Sequence, residues 1–486
     1  MKIQALPKSF LAIAIFGLTI LIVQCNSEGT DPINLIDPDP EDEELTLDDI
    51  AELYRSNCGG CHGQRFESFV ERDWVYGSSS EEVYTSIRDG YVENAMPSYQ
   101  EALTEEELRA VADFILTEIE GMTQEMLLAQ NPDLSGVIES EDMSFRVETL
   151  TDQIEGVPWG LAQLPNGDLI VTQRTGGLYL LSADNSLQSI GGSPSVRSSG
   201  QGGLLDVAIH PDYSENQFVY LSYSKFDPES NSRSTTAVAR GTLNGNSLTN
   251  VEDIFVALPY QSATHHYGSR LQFDGDGYLY ITVGDRGSRD VYHQALDNQI
   301  GKVHRVHDDG SIPSDNPFAN QNGVETVYTF GNRNPQGLCL HPVSGDIWEG
   351  EHGPQGGDEI NTMGHGNNYG WPLITYGINY NGTPITDITE MDGMEQPIHY
   401  WVPSIAPAGM DFVSSENYNG WSHDLFVGSL KFTYLHRLKM NGDQVVGEEE
   451  LLQGIGRVRD VEMGLDGYLY IAVESPGRVI RLIPEN

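Results

Sequence analysis

The spacing of apolar positions along this chain changes once, near residue 143. Before that point, residues 47–57 and residues 104–119 have apolar side chains at helical spacing. The second segment opens with Thr104 followed by Glu107, a pair that forms a capping box at a helix N-terminus. After residue 143, short alternating apolar runs are separated by turn dipeptides, a pattern typical of β-strands. The pattern therefore predicts a small all-α part followed by a large all-β part.

The all-β part repeats one unit, a tight turn that leads into a strand. The turns contain Asn166-Gly167, His210-Pro211-Asp212, Asp274-Gly275, Ser344-Gly345, Asn419-Gly420 and Asp466-Gly467. The less regular copies predict strands over residues 217–223 and 424–427. Six units at this spacing predict a six-bladed β-propeller over residues 143–486, with a pair of β-sandwiches as the alternative. A first strand near residues 147–150 is expected to complete the last blade and close the ring.

The all-α part contains Cys58-Gly59-Gly60-Cys61-His62. This spacing is typical of covalent haem c attachment, with the two thiols as thioethers and His62 as an iron ligand. No second C-x-x-C or H-x-x-x-H pattern supports zinc, and no βαβ context supports a redox dithiol. Met96 is the candidate second iron ligand, unless it only fills the core. Residues 45–121 resemble a small class I cytochrome c.

Charge excludes one class of partner. The chain carries 72 acidic and 26 basic side chains, a formal net charge of −46. No basic stripe exists to neutralise phosphates, so nucleic acid is excluded as a partner. Residues 26–44 are acidic and Pro-rich and predict an extended tether, and residues 122–142 predict a linker between the two parts.

The N-terminus predicts export. Lys2 and Lys8 precede an apolar run over residues 10–23, so residues 1–25 are interpreted as a signal peptide. The residues that end at Cys25 resemble a lipoprotein signal-peptidase site, although Gln24 departs from the usual small residue. We expect a periplasmic or cell-surface protein with a lipid anchor at Cys25; a plain cleaved signal or an uncleaved anchor is the alternative. Only Cys339, in an apolar context, then lacks a role, so no intrachain disulfide is expected.

A set of motifs along the all-β part appears in the order found in a known family. They are Gly200-Gln201-Gly202-Gly203, His266-Tyr267-Gly268-Ser269-Arg270, Gly284-Asp285-Arg286-Gly287, Gly331-Asn332-Arg333-Asn334-Pro335, Glu351-His352-Gly353-Pro354, Tyr369-Gly370-Trp371-Pro372, Gly428-Ser429-Leu430-Lys431 and Arg457-Val458-Arg459-Asp460. In this respect residues 145–484 resemble the soluble glucose, sorbosone and aldose-sugar dehydrogenases. The resemblance implies a six-bladed propeller that uses pyrroloquinoline quinone (PQQ) and Ca²⁺.

PQQ is an orthoquinone with three carboxylates, so its pocket needs fixed cations and amide donors. Lys431, Arg457 and Arg459 supply charge in a chain poor in cations, and Gln201 and Asn334 supply neutral hydrogen bonds. The alternative for the two arginines is a strand face turned to water, because residues two apart on a strand point the same way.

The resemblance also assigns residues to the reacting edge and to the metal. It implies that Arg333 and Asn334 lie near the reactive quinone edge and that Trp401 flanks the substrate or the ring. It implies that the carbonyl oxygens of Gly353 and Pro354 bind Ca²⁺, a cation that takes oxygen ligands; a purely structural loop is the alternative. Asp358 and Glu359 either bind the ion or stabilise this loop.

Oxidation of an anomeric hydroxyl needs a base for the O–H proton, and neutral imidazole suits that task near pH 7. The resemblance implies that His266 is the base and that Asp285 orients it. His265 is the neighbouring alternative, but the spacing to Arg270 and Asp285 favours His266. Tyr267 differs from the residue expected beside the base in glucose-specific members, which leaves the sugar undefined.

Together the two parts predict a PQQ- and calcium-dependent aldose dehydrogenase. It would pass electrons through its own haem to an external one-electron acceptor. The rival interpretations are an inactive propeller that binds carbohydrate or protein beside an electron-carrying cytochrome, and an enzyme for another alcohol or aldose.

Overall fold

The structure is a computed structural model that describes most of the chain after residue 44. The described residues are 45–63, 65–66, 69–70, 74–91, 96–123, 126, 132–321, 324–474 and 477–485. The predicted signal peptide, Cys25, the acidic tether and the side chain of Cys61 lie outside them. Over these ranges no helix has the length and apolar character needed to cross a membrane.

The N-terminal part is helical. Its helices are α1 (Leu47–Asn57), α2 (Gly59–His62), α3 (Ser80–Asp89) and α4 (Glu105–Glu118). The predicted bounds of α1 are confirmed, and so is the Thr104–Glu107 capping box that starts α4. Helix α3 was not predicted, although Ser79 and Glu82 form the same capping box.

The remaining strands form six antiparallel sheets over the described part of the chain, as predicted for a six-bladed propeller. Blade one consists of β3 (Pro158–Gln163), β4 (Leu169–Gln173), β5 (Gly177–Leu181) and β6 (Leu187–Ser189). Blade two consists of β7 (Leu204–Ile209), β8 (Phe218–Asp227), β9 (Ser230–Asn244) and β10 (Ser247–Val256). Blade three consists of β11 (Leu271–Phe273), β12 (Leu279–Val283), β13 (Lys302–Val306) and β14 (Val327–Phe330). Blade four consists of β15 (Pro335–Leu340), β16 (Ile347–Glu351), β17 (Asp358–Thr362) and β18 (His399–Trp401). Blade five consists of β19 (Pro407–Phe412), β20 (Leu425–Ser429), β21 (Leu435–Asn441) and β22 (Gln444–Leu451). Blade six consists of β23 (Arg457–Met463), β24 (Leu469–Glu474), β25 (Arg478–Glu485) and β2 (Ser144–Thr151).

Each predicted turn lies between the first and second strands of a blade. This single position explains why the repeat is visible in the sequence, since a tight hairpin needs Gly, Asn or Asp at fixed places. The irregular copies contain a short helix, α5 (Tyr213–Asn216), and a 3₁₀ helix (Glu416–Trp421). The strands that follow them, β8 and β20, are longer than the pattern predicted.

The ring is closed by the N-terminal strand of the propeller. Strand β2 pairs with β25 from Phe145, opposite Pro484, to Thr151, opposite Val479, as predicted. A fifth strand, β1 (Ile138–Glu139), pairs with the outer edge of β2 inside the segment predicted to be a linker. Apolar clusters lie between adjacent blades, and Cys339 is buried in one of them, as its apolar context predicted.

A buried arginine links the segment that leads into the closing strand β2 to blade five. The guanidinium of Arg437 on β21 donates to Asp424 (2.7 Å), Glu449 (2.6 Å) and Asp142 (2.7 Å). Asp142 belongs to the segment that leads into β2, so the network ties the closing strand to a neighbouring blade. Arg437 is buried, which makes its partners costly to leave unpaired.

We expect Arg437→Met to lower the free energy of unfolding by about 3–5 kcal/mol, because two largely buried carboxylates lose their cation. Urea unfolding followed by circular dichroism measures this loss. The control is Lys439→Met on the same strand, whose partners Glu141 and Asp142 are 63% and 40% exposed; because Asp142 keeps Arg437, the loss should cost less than about 1 kcal/mol. Equal losses in the two variants would contradict the assignment.

Candidate functional site

His266 lies in the connection between β10 and β11. Its backbone has φ +52°, a left-handed conformation that is uncommon for a residue with a Cβ atom and clusters at functional sites. Its N–H donates to Oε1 of Gln201 (2.8 Å), and Gln201 N–H donates to the carbonyl of Thr264 (2.8 Å). These contacts bring two residues of the predicted site together and hold the loop in this conformation.

His266 and Asp285 form the predicted pair. Nδ1 of His266 lies 2.6 Å from Oδ1 of Asp285. Burial raises the pKa of Asp285, but His266, Arg333 and the Gly287 N–H outweigh it and hold this pKa below its usual range. The ionised carboxylate can only accept, so Nδ1 donates and Nε2 keeps its lone pair. Burial also lowers the pKa of His266, which favours the neutral imidazole that a base requires.

A glycine allows the two residues to approach each other. A Cβ atom on Gly284 would lie 2.3 Å from the carbonyl oxygen of His266 and 2.9 Å from Oδ1 of Asn334. Gly284 therefore lets the His266 loop lie directly against the strand end that carries Asp285. Any larger residue here would push the pair apart.

Arg333 and Asn334 are positioned by a buried glutamate. Oε2 of Glu351 accepts the backbone N–H groups of Arg333 (2.5 Å) and Asn334 (3.3 Å). The guanidinium of Arg333 donates to the carbonyl oxygens of His352 (2.8 Å) and Gly353 (2.7 Å). The carbonyl of Arg333 in turn accepts the N–H of Asp285 (2.7 Å), which joins this turn to the His–Asp pair.

Arg457 and Arg459 do not form a strand face turned to water. Their side chains are 13% and 11% exposed, and both pair with the buried carboxylate of Glu474. Nη1 of Arg459 also donates to Oε1 of Gln336 (3.0 Å), whose Nε2 donates to the carbonyl of Gly268 beside the His266 loop. Two guanidinium groups therefore meet at the carboxylate of Glu474.

Lys431 is linked to this pair of arginines through the backbone of its neighbour Leu430. Its backbone N–H donates to the carbonyl of Ile405 (3.1 Å), and the preceding residue, Leu430, accepts Nη1 of Arg457 (3.0 Å). Its ammonium lies 5.1 Å from the ring centroid of Phe432.

Arg270 is a buried side chain that links residues of several blades. Its guanidinium pairs with Asp460 (2.6 Å) and Asp206 (3.1 Å) and donates to the carbonyl oxygens of Gln336 (2.7 Å) and Arg459 (2.7 Å). Four blades therefore meet at one side chain.

The Gly353–Pro354 loop is stabilised by Asp358. Its carboxylate accepts the N–H of Gly353 (2.8 Å), the hydroxyl of Ser404 (2.9 Å) and the N–H of Ala406 (2.7 Å). The carbonyl of Gly353 accepts from Arg333, and the carbonyl oxygen of Pro354 lies 3.2 Å from the Ser404 hydroxyl that donates to Asp358. Among the described residues, no group of three or more His, Cys, Asp or Glu side chains is arranged to hold a metal ion.

Sequence reasoning assigned no role to several residues that contribute to the site. A cavity is lined by Arg333, Glu351, His352, Gly353, Gly357, Glu359, Tyr369, Trp371, Ile374 and Thr375. Several basic side chains act on His352 in this cavity. Burial lowers the pKa of His352 to about 3, and Arg333, Arg459 and His266 also lower it. Glu351 is also displaced, because burial and Glu359 raise its pKa to about 8. Charged residues inside the fully buried strand β16 were the available signal.

Trp401 does not join the predicted site. It lies on β18, within the apolar cluster between blades four and five, and its Nε1 donates to Glu448 (3.1 Å). Strand alternation explains the difference, since Trp401 points into the core and its neighbour on β18, Tyr400, is exposed. Two other tryptophans contact predicted site residues: Trp371 contacts Asp285 and Arg333, and Trp159 lies under the guanidinium of Arg459.

The two neighbours of His266 point elsewhere. His265 is buried against Gly287, and burial with the nearby His266 lowers its pKa to about 2. Tyr267 is buried with its hydroxyl 2.7 Å from Oγ of Ser234 and its ring under the Arg286 guanidinium. Tyr267 is therefore a framework residue.

In the helical part, Cys58 and Met96 border one apolar cluster. Cys58 is buried at the end of α1, and Met96 packs against the same group of side chains. The ring of His62 stacks on Phe69 at 4.5 Å between centroids. Residues 92–95, which precede Met96, lie outside the described part of the chain.

Comparison with known proteins agrees with this arrangement. The family described as Glucose / Sorbosone dehydrogenase matches residues 156–481. The chain belongs to the glucose/sorbosone dehydrogenase family. Its helical part, residues 46–115, matches the family described as Cytochrome C oxidase, cbb3-type, subunit III. The protein thus joins a small cytochrome c domain to a six-bladed propeller of the glucose/sorbosone dehydrogenase family.

Relatives in this family place the chain more closely. It is 40% identical over 362 residues to an aldose sugar dehydrogenase, YliI, of Escherichia coli strain K12, covering 73% of this chain and 96% of the relative. The crystal structure of the soluble E. coli aldose sugar dehydrogenase in its apo form superposes with a TM-score of 0.67 at 41% identity, over 70% of this chain and all of that one. The PQQ-bound aldose sugar dehydrogenase of Streptomyces coelicolor superposes with a TM-score of 0.58 at 26% identity, over 70% and 98% of the two chains. The protein is therefore an oxidoreductase of the sugar dehydrogenase type.

Proposed function

We propose that this protein is a PQQ-dependent aldose dehydrogenase that passes electrons through its own haem c to an external one-electron acceptor. The observation that carries the proposal is the His266–Asp285 pair beside a buried group of cations. His266 supplies a base, and Arg333, Arg457 and Arg459 supply charge for an anionic cofactor.

The donor set fits PQQ in chemical kind. Arg457 and Arg459 are buried guanidinium groups that share the carboxylate of Glu474, and the guanidinium of Arg333 donates to the neutral carbonyl oxygens of His352 and Gly353. These guanidinium groups, with Lys431, Gln201 and Asn334, would hold a tricarboxylate by charge-assisted hydrogen bonds. PQQ, when bound, supplies an orthoquinone that accepts the hydride leaving the anomeric carbon.

His266 performs the proton step in this proposal. Its Nε2 accepts the proton of the anomeric hydroxyl as the C1–H bond breaks and a lactone forms. Asp285 keeps the proton on Nδ1 and stabilises the imidazolium that results. The backbone carbonyl of Arg333 accepts the N–H of Asp285, and its guanidinium, which helps to lower the pKa of His266, would contribute positive charge where negative charge develops.

Calcium is proposed on the carbonyl oxygens of Gly353 and Pro354. The oxygens suit Ca²⁺, but the Gly353 oxygen already accepts from the Arg333 guanidinium. A carbonyl has a second lone pair, so a cation could share this oxygen only with anionic groups nearby to offset the repulsion. Bound PQQ would bring such groups.

The helical domain fits a haem. Cys58 and Met96 border one apolar cluster, and His62 is the last residue of α2, at the motif position expected of an iron ligand. Haem c, when bound, supplies a one-electron carrier. Export and lipid attachment at Cys25 complete the proposal and rest on the N-terminal sequence alone.

We expect Arg459→Gln to weaken PQQ binding about 10- to 100-fold, because one charge-assisted contact is lost while Glu474 keeps Arg457 as its partner. Fluorescence titration of the metal-loaded apoprotein with PQQ measures the change. Arg481→Gln is the control: this residue pairs with Glu148 on the outer side of the same blade, so PQQ affinity should not change. Unchanged affinity in Arg459→Gln would contradict the assigned cofactor position.

The proposal as a whole is tested by titrating PQQ into the full chain with Ca²⁺ present, across a panel of aldoses. Haem absorbance reports reduction. Sugar-dependent reduction that requires PQQ supports it. Absence of any PQQ-dependent oxidation would favour the binding-platform alternative, and activity confined to non-aldose alcohols would overturn the substrate class.

A further inference from the structure

The carboxylate of Asp285 has two partners besides His266. Its Oδ1 accepts Nδ1–H of His266 (2.6 Å) and the N–H of Gly287 (2.8 Å). Its Oδ2 accepts the indole Nε1–H of Trp371 (3.0 Å). Two donors thus hold Oδ1, whereas Oδ2 accepts from the indole alone among the described residues.

Trp371 comes from a distant part of the chain. It lies in the long connection between β17 and β18, 86 residues from Asp285, and its side chain is buried. Gln294 anchors the turn that contains Trp371. Its Nε2 donates to the carbonyl of Trp371 (2.9 Å) and to Oδ1 of Asn368 (3.0 Å). The indole is therefore held in place independently of Asp285.

The same ring also faces Arg333. The guanidinium carbon of Arg333 lies 5.3 Å from the indole centroid, within the range of a cation–π contact. One side chain thus touches the carboxylate that orients the base and the arginine expected at the quinone edge. It fixes the spacing between these two groups.

We propose that Trp371 is a positioning residue that orients Asp285, and through it His266, by its indole N–H. This inference rests on the proposed function for its catalytic consequence, but the contact itself can be tested without any cofactor. An indole donor on Oδ2 withdraws charge from the carboxylate. Without it, Asp285 becomes a stronger acceptor for Nδ1–H and stabilises the protonated His266 more.

The test is Trp371→Phe, which keeps an aromatic ring against Arg333 and removes only the N–H. In the full chain without PQQ, NMR titration of the imidazole resonances, with His266 identified by its loss in His266→Gln, should show a higher His266 pKa in the variant. The charged or titratable groups that face His266 are Asp285, Arg286, Arg333, His265 and His352. All are retained in the variant, so the shift reports the indole.

With PQQ and sugar, kcat should fall about 10- to 100-fold with little change in KM, as expected when a base is misplaced. The acid limb of the kcat/KM profile should move to higher pH. Trp421→Phe is the control, because its indole donates to Ser140 in the core between blades five and six, far along the chain from the pair. It should leave both measurements unchanged.

An unmoved His266 titration in a folded Trp371→Phe variant would overturn the positioning role, whatever the activity. A shifted titration in a protein that never oxidises sugar would keep the positioning contact and defeat the proposed function instead. The two failures are therefore distinguishable.

Discussion

Replacing His266 with glutamine is expected to lower kcat for aldose oxidation by about 10²- to 10⁴-fold, the usual contribution of a positioned general base. Glutamine keeps a polar side chain of similar size but cannot accept and hold a proton at Nε2. Steady-state kinetics with a saturating dye acceptor measure the loss. KM and the PQQ titration should change little, because the arginines that would hold the cofactor are untouched.

The neighbouring histidine provides a matched control. His265 is buried against Gly287, with its ring edge-on to His266 at 4.6 Å between centroids. Its Nε2 faces Gly287, so it cannot take the role of the base. His265→Gln should reduce kcat by less than about tenfold, below the range for loss of a base. A larger effect at His265 than at His266 would show that the base had been assigned one residue out of register.

The same pair has a defined pH dependence. Burial is the main cause that lowers the pKa of His266, with Arg333 and Arg286 adding to it and Asp285 opposing. The neutral imidazole therefore persists below the ordinary histidine pKa of about 6.5. We expect the acid limb of the kcat/KM profile to lie below that pH in the wild-type protein.

Local signals carried the prediction of the fold. Hairpin turns need Gly, Asn or Asp at fixed positions, so each blade could be predicted from the turn before its second strand. A capping box gave the start of α4, and apolar spacing gave the bounds of α1. The pairing of β2 with β25 followed from the geometry of a closed ring.

The site was only partly predictable because its partners are far apart in sequence. His266 and Asp285 followed from ordered motifs, but the contact of Trp371 with Asp285 spans 86 residues and no periodicity predicts it. The choice of Trp401 failed for a related reason. A single sequence does not say which of two adjacent strand residues faces the core, and on β18 Trp401 does while Tyr400 is exposed.

The helical domain is expected to carry electrons away from the propeller. If the proposed function is correct, electrons must leave the propeller one at a time, and a carrier on the same chain is present at a high effective concentration. The double substitution Cys58→Ala, Cys61→Ala removes both expected thioether bonds while leaving every described residue of the propeller unchanged. Circular dichroism, thermal unfolding and PQQ titration then report whether the propeller is intact.

In that double variant we expect no covalent haem and no sugar-dependent reduction of an external one-electron carrier such as a soluble cytochrome. Haem that stays with the wild-type polypeptide in a denaturing gel, and is lost from the variant, measures attachment; anaerobic stopped-flow absorbance measures reduction. In the wild-type protein, adding an aldose should reduce the haem in a single turnover, and His266→Gln should slow that reduction as much as it slows kcat. A wild-type protein that reduces dyes with sugar but never reduces its own haem would defeat the electron route. The sugar oxidation at His266 would then stand alone, because nothing in its geometry depends on Cys58 or Met96.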